Sequence, residues 1–384
     1  MSYSIPFNKP YLTGKEAHYL YQAVLSGKIS GDGIFTKKCH QFFEKNFGFK
    51  KVLLTTSCTD ALELAALLLN IQPGDEVILP SYTFVSTANA FALRGAMLRF
   101  VDSRQDHPGM DEGKIEEVIN EKTKAIVPVH YAGVATDMDK VNDLAAKYNL
   151  SVVEDAAQAI DAYYFGKNGK TPLGACGDIG CFSFHETKNI MAGEGGMISL
   201  NQEKYHGRAE ILREKGTNRS SFFRGEVDKY SWVDIGSSFL PSDIIAAFLY
   251  AQIENLEDIQ TKRKAIWNRY NSNLESLEKE GHFKRPFVPE FSSQNGHMFY
   301  IVTNSLEERT ALVEFLKNKG IYSVFHYLSL HSAPYFIANH DGRSLDQSDR
   351  YTDCLLRLPL FYELELSQVD QITEVISNFF KGKS

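Results

Sequence analysis

Ser151-Val-Val-Glu-Asp-Ala-Ala-Gln158 is a run of strand length that starts apolar and ends on two carboxylates. A strand without polar alternation belongs inside a sheet covered on both faces, and its carboxyl end is where a parallel sheet presents groups to a ligand. Similar runs flank it: Val52-Leu-Leu-Thr-Thr56, Glu76-Val-Ile-Leu-Pro80, Leu98-Arg-Phe-Val-Asp102 and Ala125-Ile-Val-Pro-Val129 before, Ile179-Gly-Cys-Phe-Ser-Phe184 and Gly196-Met-Ile-Ser-Leu200 after. Helix-length segments fill the intervals, most clearly Asp60 to Leu69, Glu112 to Asn120 and Met138 to Lys147. This alternation predicts an α/β fold on a mostly parallel sheet. From Ser242 the pattern changes to one long helical run, Asp243 to about Glu280. Beyond it, His297-Met-Phe-Tyr-Ile-Val302, a helix Glu307 to Lys319, Tyr322-Ser-Val-Phe-His326 and a closing helix Ser367 to Phe380 predict a compact α+β unit. The expected division is a large domain over 1–241, a linking helix over 242–280 and a small domain over 281–384.

The chain has 384 residues, 43% of them apolar and 23% charged, which excludes disordered, collagen-like and coiled-coil classes. Its net charge of -7 gives no overall positive field for nucleic acid or an anionic membrane, although a local basic patch can still hold a phosphorylated small molecule. Five scattered cysteines and an opening MSYSIPFNKP without a basic leader followed by an apolar core read as a reduced, cytoplasmic protein. The most apolar stretch, Ala61 to Ile71, is interrupted by Glu63 and is about half the roughly 20 residues that span a bilayer, so no membrane segment is expected.

Three segments carry candidate chemistry. Cys181-Phe-Ser-Phe-His-Glu-Thr-Lys-Asn-Ile190, followed by Gly193-Glu-Gly-Gly196, sets Ser183 and Lys188 just beyond a strand, beside a glycine-rich turn that lets backbone approach a ligand. Lys188 there suits a Schiff base; the plainer reading is a solvated loop lysine. Glu154 and Asp155 end their strand with Gln158 three residues on; alone, Asp155 reads more simply as a helix cap. Thr55-Thr-Ser-Cys-Thr-Asp-Ala-Leu62 runs from a hydroxyl-rich turn into a helix, whose N-terminus offers free amides and positive partial charge to a phosphate, or is merely capped. Together they supply a phosphate cradle, a carboxylate and a Schiff-base lysine, the groups that pyridoxal phosphate requires. Phe84, after a strand, is a candidate to stack on the cofactor ring. No metal site is expected: the position four after His185 is Asn189, and Cys176 and Cys181 have no second cysteine pair. Gly31-Asp-Gly-Ile-Phe-Thr36 is not a dinucleotide fingerprint, and no Walker sequence occurs.

On these residues, and on Pro73-Gly-Asp-Glu-Val-Ile-Leu-Pro-Ser-Tyr-Thr-Phe84, Val129-His-Tyr-Ala-Gly-Val134 and Arg213-Glu-Lys-Gly-Thr-Asn-Arg-Ser220, the chain resembles the DegT/StrS-type sugar aminotransferases over nearly its whole length. The resemblance implies the fold type I architecture of pyridoxal-phosphate enzymes. It implies Lys188 as the Schiff-base lysine, Asp155 as partner of the pyridinium nitrogen and Gln158 beside the phenolic oxygen. Thr59, the amide of Asp60 and Ser183 would hold the phosphate, with Phe84 against the ring. It implies a homodimer with shared active sites, a partner-chain residue reaching the phosphate; here Ser238, in Gly236-Ser-Ser-Phe-Leu240, stands where the family commonly has Asn. The closer motif match, to dTDP-sugar transaminases of surface polysaccharide biosynthesis, implies L-glutamate as donor, 2-oxoglutarate as its product, and amination at C4 of dTDP-4-dehydro-6-deoxyglucose to dTDP-4-amino-4,6-dideoxygalactose.

Substrate contacts are less legible. Arg219, Arg224 and Lys229 suit a diphosphate or form a solvated basic loop; His326, Tyr327 and His331 line a substrate wall or pack in the small domain. Rival readings are amination at C3, the gluco epimer, a dehydratase, which in this fold replaces the lysine by histidine, and a non-catalytic cofactor-binding regulator. The intact Lys188, Asp155 and Gln158 speak against the last two.

Overall fold

In the computed structural model, which describes residues 4–382, all seven expected strands of the first 200 residues form. The opening residues 1–3, part of the leader reading, lie outside the described residues. In chain order the strands are β1 (Val52–Thr55), β2 (Glu76–Pro80), β3 (Met97–Val101), β4 (Thr123–Ile126), β5 (Ser151–Asp155), β6 (Tyr163–Gly166), β7 (Gly169–Pro172), β8 (Ile179–Ser183) and β9 (Gly196–Leu200). Seven of them make one sheet in the order β1-β9-β8-β5-β4-β2-β3. β3, β2, β4, β5 and β8 run parallel, while β9 pairs antiparallel with both β8 and β1. β4 stops earlier than its apolar run because Pro128 has no N–H to continue the ladder. The β6–β7 hairpin was not expected, although Asn168-Gly169 at its turn is a hairpin signal.

The helices are α1 (Glu16–Leu25), α2 (Ile34–Phe47), α3 (Cys58–Leu68), α4 (Val85–Ala92), α5 (Met138–Tyr148), α6 (His206–Arg213), α7 (Arg219–Phe223), α8 (Asp243–Ile253), α9 (Leu256–Asn273) and α10 (Glu275–Lys279). Two helix expectations are corrected. The segment Glu112 to Asn120 is two 3₁₀ turns, Glu112–Lys114 and Glu116–Val118. There Asp111 caps Gly113, and the carboxylate of Glu112 is drawn to Arg104 and to the amide of Asp137, so the segment is tied to its neighbours before a longer helix is built. The single run from Asp243 breaks into α8, α9 and α10: the Asn255 side chain donates to the Ala251 carbonyl and closes α8, while its own carbonyl starts α9.

The second sheet, β10-β11-β13-β12, is formed by β10 (Phe283–Lys284), β11 (Phe299–Thr303), β12 (Val324–Phe325) and β13 (Leu355–Leu358), covered by α11 (Leu306–Asn318), α12 (Asp346–Cys354) and α13 (Leu366–Lys381). Its apolar core joins α9, α11 and α13 and takes in Ile5, which bridges Ile321. Separate clusters cover the two faces of the large sheet. A fourth, holding Tyr82, Tyr131, Met298, Tyr300, Tyr351 and Leu355, joins the two sheets directly. Among the described residues no helix is long and apolar enough to cross a membrane, and no cluster of side chains could hold a metal ion.

Candidate active site

The carboxyl ends of β1, β5 and β8 open on a cavity of about 640 Å³ whose far wall comes from the second sheet. This is the position expected for a ligand of an open α/β sheet. Lys188 lines it. The loop that carries Lys188 is closed by bonds from Glu186 N to the Gly193 carbonyl and from Ala192 N to the Phe184 carbonyl, with Gly193 at φ +77°. Next to the lysine, buried Asn189 donates to Gln260 Oε1 at 2.8 Å and to the Asn295 carbonyl at 2.9 Å, and its Oδ1 lies 2.8 Å from His297 Nδ1. Lys188 is therefore held in place by its neighbour, and its amine has no hydrogen-bond partner among the described residues. Burial holds its pKa below the usual lysine value; Cys58 and Asp155 oppose that shift and Arg357 adds to it.

Asp155 is 5% exposed and lines the same cavity. The Thr87 hydroxyl donates to its Oδ2 at 2.6 Å and the Ala157 amide to its Oδ1 at 3.1 Å. No helix follows it, so it is not a helix cap. Gln158 accepts from the Ala132 amide at 2.6 Å and donates to the Tyr327 hydroxyl at 3.0 Å. Tyr327 adopts a left-handed backbone, φ +47°, uncommon for a bulky residue and a recurrent feature of ligand sites.

At the third wall, Ser57 caps α3 by accepting from the Asp60 amide at 3.0 Å. The Asp60 amide is thus engaged within the cap, and Asp60 does not line the cavity. The amides of Cys58 and Thr59 are the first of α3 and have no intrahelical carbonyl to bond. Thr59 Oγ1 lies 2.8 Å from Ser86 Oγ, and both line the cavity with Ser183. Phe84, 55% exposed, stands at the edge, its ring 6.0 Å from that of Tyr327.

The other sequence candidates separate. His326 and Tyr327 line the cavity, whereas His331 packs behind it on Ser81. Arg219, Arg224, Lys229 and Ser238 do not line the cavity of their own chain. The Arg224 guanidinium is paired with Glu210 and Glu226, Arg219 lies over the Phe223 ring, and Ser238 is exposed in a bridge with Glu214. The structure adds Thr87, Ser86, His297, Arg357 and Phe7. Ser86 and Thr87 lie in the segment that the sequence marks through Phe84, but nothing local marks Arg357, which arrives on β13, or His297, in the bend before β11, both over a hundred residues further on.

A family model described as the DegT/DnrJ/EryC1/StrS aminotransferase family matches residues 10–377. The chain belongs to this family. An uncharacterised protein of Methanocaldococcus jannaschii is 33% identical over 341 residues, 87% of this chain and 86% of its own. Among solved structures, the aminotransferase TlmJ of Streptoalloteichus hindustanus superposes with a TM-score of 0.89 at 27% identity, over 98% of this chain and 99% of that one. The PLP form of a putative sugar aminotransferase, Spr1654, of Streptococcus pneumoniae gives 0.87 at 26% identity, over 99% of each chain. The aminotransferase therefore shares its whole architecture with these enzymes, with no large insertion.

Proposed function

We propose that this aminotransferase moves an amino group from L-glutamate to the C4 ketone of dTDP-4-dehydro-6-deoxyglucose, giving dTDP-4-amino-4,6-dideoxygalactose and 2-oxoglutarate. The cofactor is pyridoxal phosphate. The observation that carries the reading is the meeting, in one cavity, of an unpartnered lysine amine, a braced carboxylate and the open first turn of α3. These residues fit the cofactor. Lys188 would hold it covalently, Asp155 would face its ring nitrogen, and the Cys58 and Thr59 amides with the hydroxyls of Thr59 and Ser183 would take its phosphate. Gln158 would sit beside the phenolic oxygen, and Phe84 against the ring. When bound, pyridoxal phosphate supplies the carbonyl that receives the amine and a ring that accepts the electron pair released at the substrate carbon.

The protein's own part is proton control. Asp155, fixed by two hydrogen bonds, keeps its charge aimed at one place and so holds a proton there. Lys188, with its pKa lowered by burial, has a larger share of free base at neutral pH than an exposed lysine and can take a proton from the substrate carbon and return it. Its loop is anchored through Asn189, so the proton is delivered from one side only, and the face of the sugar turned toward Lys188 sets the epimer. The sugar substrate is supported by the sequence motifs and by likeness to a sugar aminotransferase. In a homodimer Ser238, Arg219 and Lys229 would reach the neighbouring cavity, whereas the Arg224 guanidinium is already held by Glu210 and Glu226. The reading is tested by offering 3-keto and 4-keto dTDP sugars separately with glutamate: amination of the 4-keto sugar alone supports it.

A further inference from the structure

Arg357 is the one arginine lining the cavity, and its charge has no carboxylate partner among the described residues. It sits on β13 between Tyr300 of β11 and Val324 of β12, in the middle of the second sheet. The period of the strand decides which way it faces. Leu356 and Leu358 belong to the core under α9, α11 and α13, so Leu355 and Arg357 turn to the opposite face, toward Tyr82, Tyr131 and the cavity. Its Nε is fully buried and makes no hydrogen bond. Burial lowers its pKa against the opposing pull of Tyr131, Tyr327 and Tyr82, and its charge is felt at Lys188. The Phe7 ring lies 4.6 Å from the guanidinium, but an aromatic face accepts none of the planar N–H fork. A buried, unpaired Nε on a cationic side chain is expensive unless a ligand supplies an acceptor.

We infer that Arg357 is the carboxylate anchor of the amino donor. In an α-amino acid the carboxylate is bonded to the very carbon whose proton Lys188 must take, so a cation beside Lys188 lies where that carboxylate falls. The diphosphate of a sugar nucleotide, in contrast, is separated from C4 by the sugar ring and belongs nearer the mouth. The guanidinium fork matches a carboxylate bidentately. The same cavity then accepts two unlike substrates in turn: the donor is recognised by Arg357, the sugar by its nucleotide. The inference rests on the aminotransferase assignment and does not depend on which keto sugar is used.

The test uses holoenzyme, wild type against Arg357→Gln and Arg357→Lys. Binding of glutarate, a carboxylate ligand that cannot react, is measured by calorimetry, with its neutral diamide as control. Arg357→Gln should weaken glutarate about ten- to hundredfold and raise the KM for glutamate by a similar factor. The KM for the keto sugar should move by less than about threefold. Arg357→Lys should fall between, as a point charge without the fork, and remains usable should Arg357→Gln fail to fold. Unchanged glutarate affinity, or an equal rise in the sugar KM, overturns the inference, the second by assigning Arg357 to the diphosphate. If the enzyme aminates no keto sugar, the function reading fails separately, because glutarate binding and bleaching of the cofactor by glutamate still read the donor site.

Discussion

Lys188 and Asp155 were legible as residues of the cavity because each sits within a few residues of a strand end, where local pattern and chemistry coincide. Two plainer alternatives fell to long-range geometry: the loop of Lys188 is pinned through Asn189 to Asn295 and Gln260, and Asp155 is followed by turns rather than a helix. Arg357 was illegible because Leu355-Leu-Arg-Leu358 shows an ordinary strand residue until the other sheet places it over the cavity. Lys188→Ala should abolish turnover and the visible absorption of covalently held cofactor. The amine makes no hydrogen bond, so the unfolding free energy should change by less than about 1 kcal/mol. Full activity in that variant would exclude the role. Asp155→Asn keeps the shape but removes the charge, so proton abstraction should slow by orders of magnitude, with a smaller loss of cofactor affinity. Stopped-flow absorbance with glutamate separates the two effects, and a near-normal rate would leave Asp155 without a chemical task.

At the scale of elements, the end of α3 proposed to hold the phosphate is positioned by the strand beside it. β9 pairs with β1 through Gly196 and Thr55, and a Cβ on Gly196 would overlap the Ser57 carbonyl and the Cys58 nitrogen. Gly196→Ala must therefore push the first turn of α3 away. Overpacking of this kind costs about 1–3 kcal/mol, and here the displaced amides should also weaken cofactor affinity. Ser57→Ala removes the cap bond to Asp60, with an expected cost of about 1 kcal/mol. Denaturant unfolding with and without pyridoxal phosphate checks both variants. Gly196→Ala should show the larger loss of cofactor-linked stabilisation, and equal losses would mean that the cap, not the close strand, sets the cradle. The seven strands of the large sheet, β11, β12 and the helices α3, α5, α11 and α13 were readable from periodicity, whereas β6, β7, β10 and β13 were not. The runs at 112–120 and 243–280 were not, because side chains of Glu112 and Asn255 bond to their surroundings instead of following their local pattern.

The whole molecule stores acid sensitivity in buried neutral histidines. His107, 2% exposed, accepts from the Gly109 amide, and burial lowers its pKa to about 3; His40 accepts from the Leu54 amide and is likewise held at about 3. Both lie below the unfolded value of about 6.5, so the unfolded chain takes up protons first. Their contribution is complete above that pH and is lost as pH falls toward 3, by about 2 kcal/mol for each by pH 5. Urea unfolding at pH 7.5 and pH 5 should show this loss, and His107→Gln should make the pH dependence shallower; equal slopes would remove His107 as a source. The two sheets, joined through Tyr82, Tyr131 and Tyr300, hold the lysine on one wall of the cavity and Arg357 on the other. That arrangement serves the transfer of an amine to a keto sugar. Its most direct test is to incubate holoenzyme with L-glutamate and dTDP-4-dehydro-6-deoxyglucose and to read the sugar product by NMR. An axial amine at C4 with an equal amount of 2-oxoglutarate is the expected result; an amine at C3, an equatorial amine at C4, or no amine on the sugar would contradict the proposed reaction.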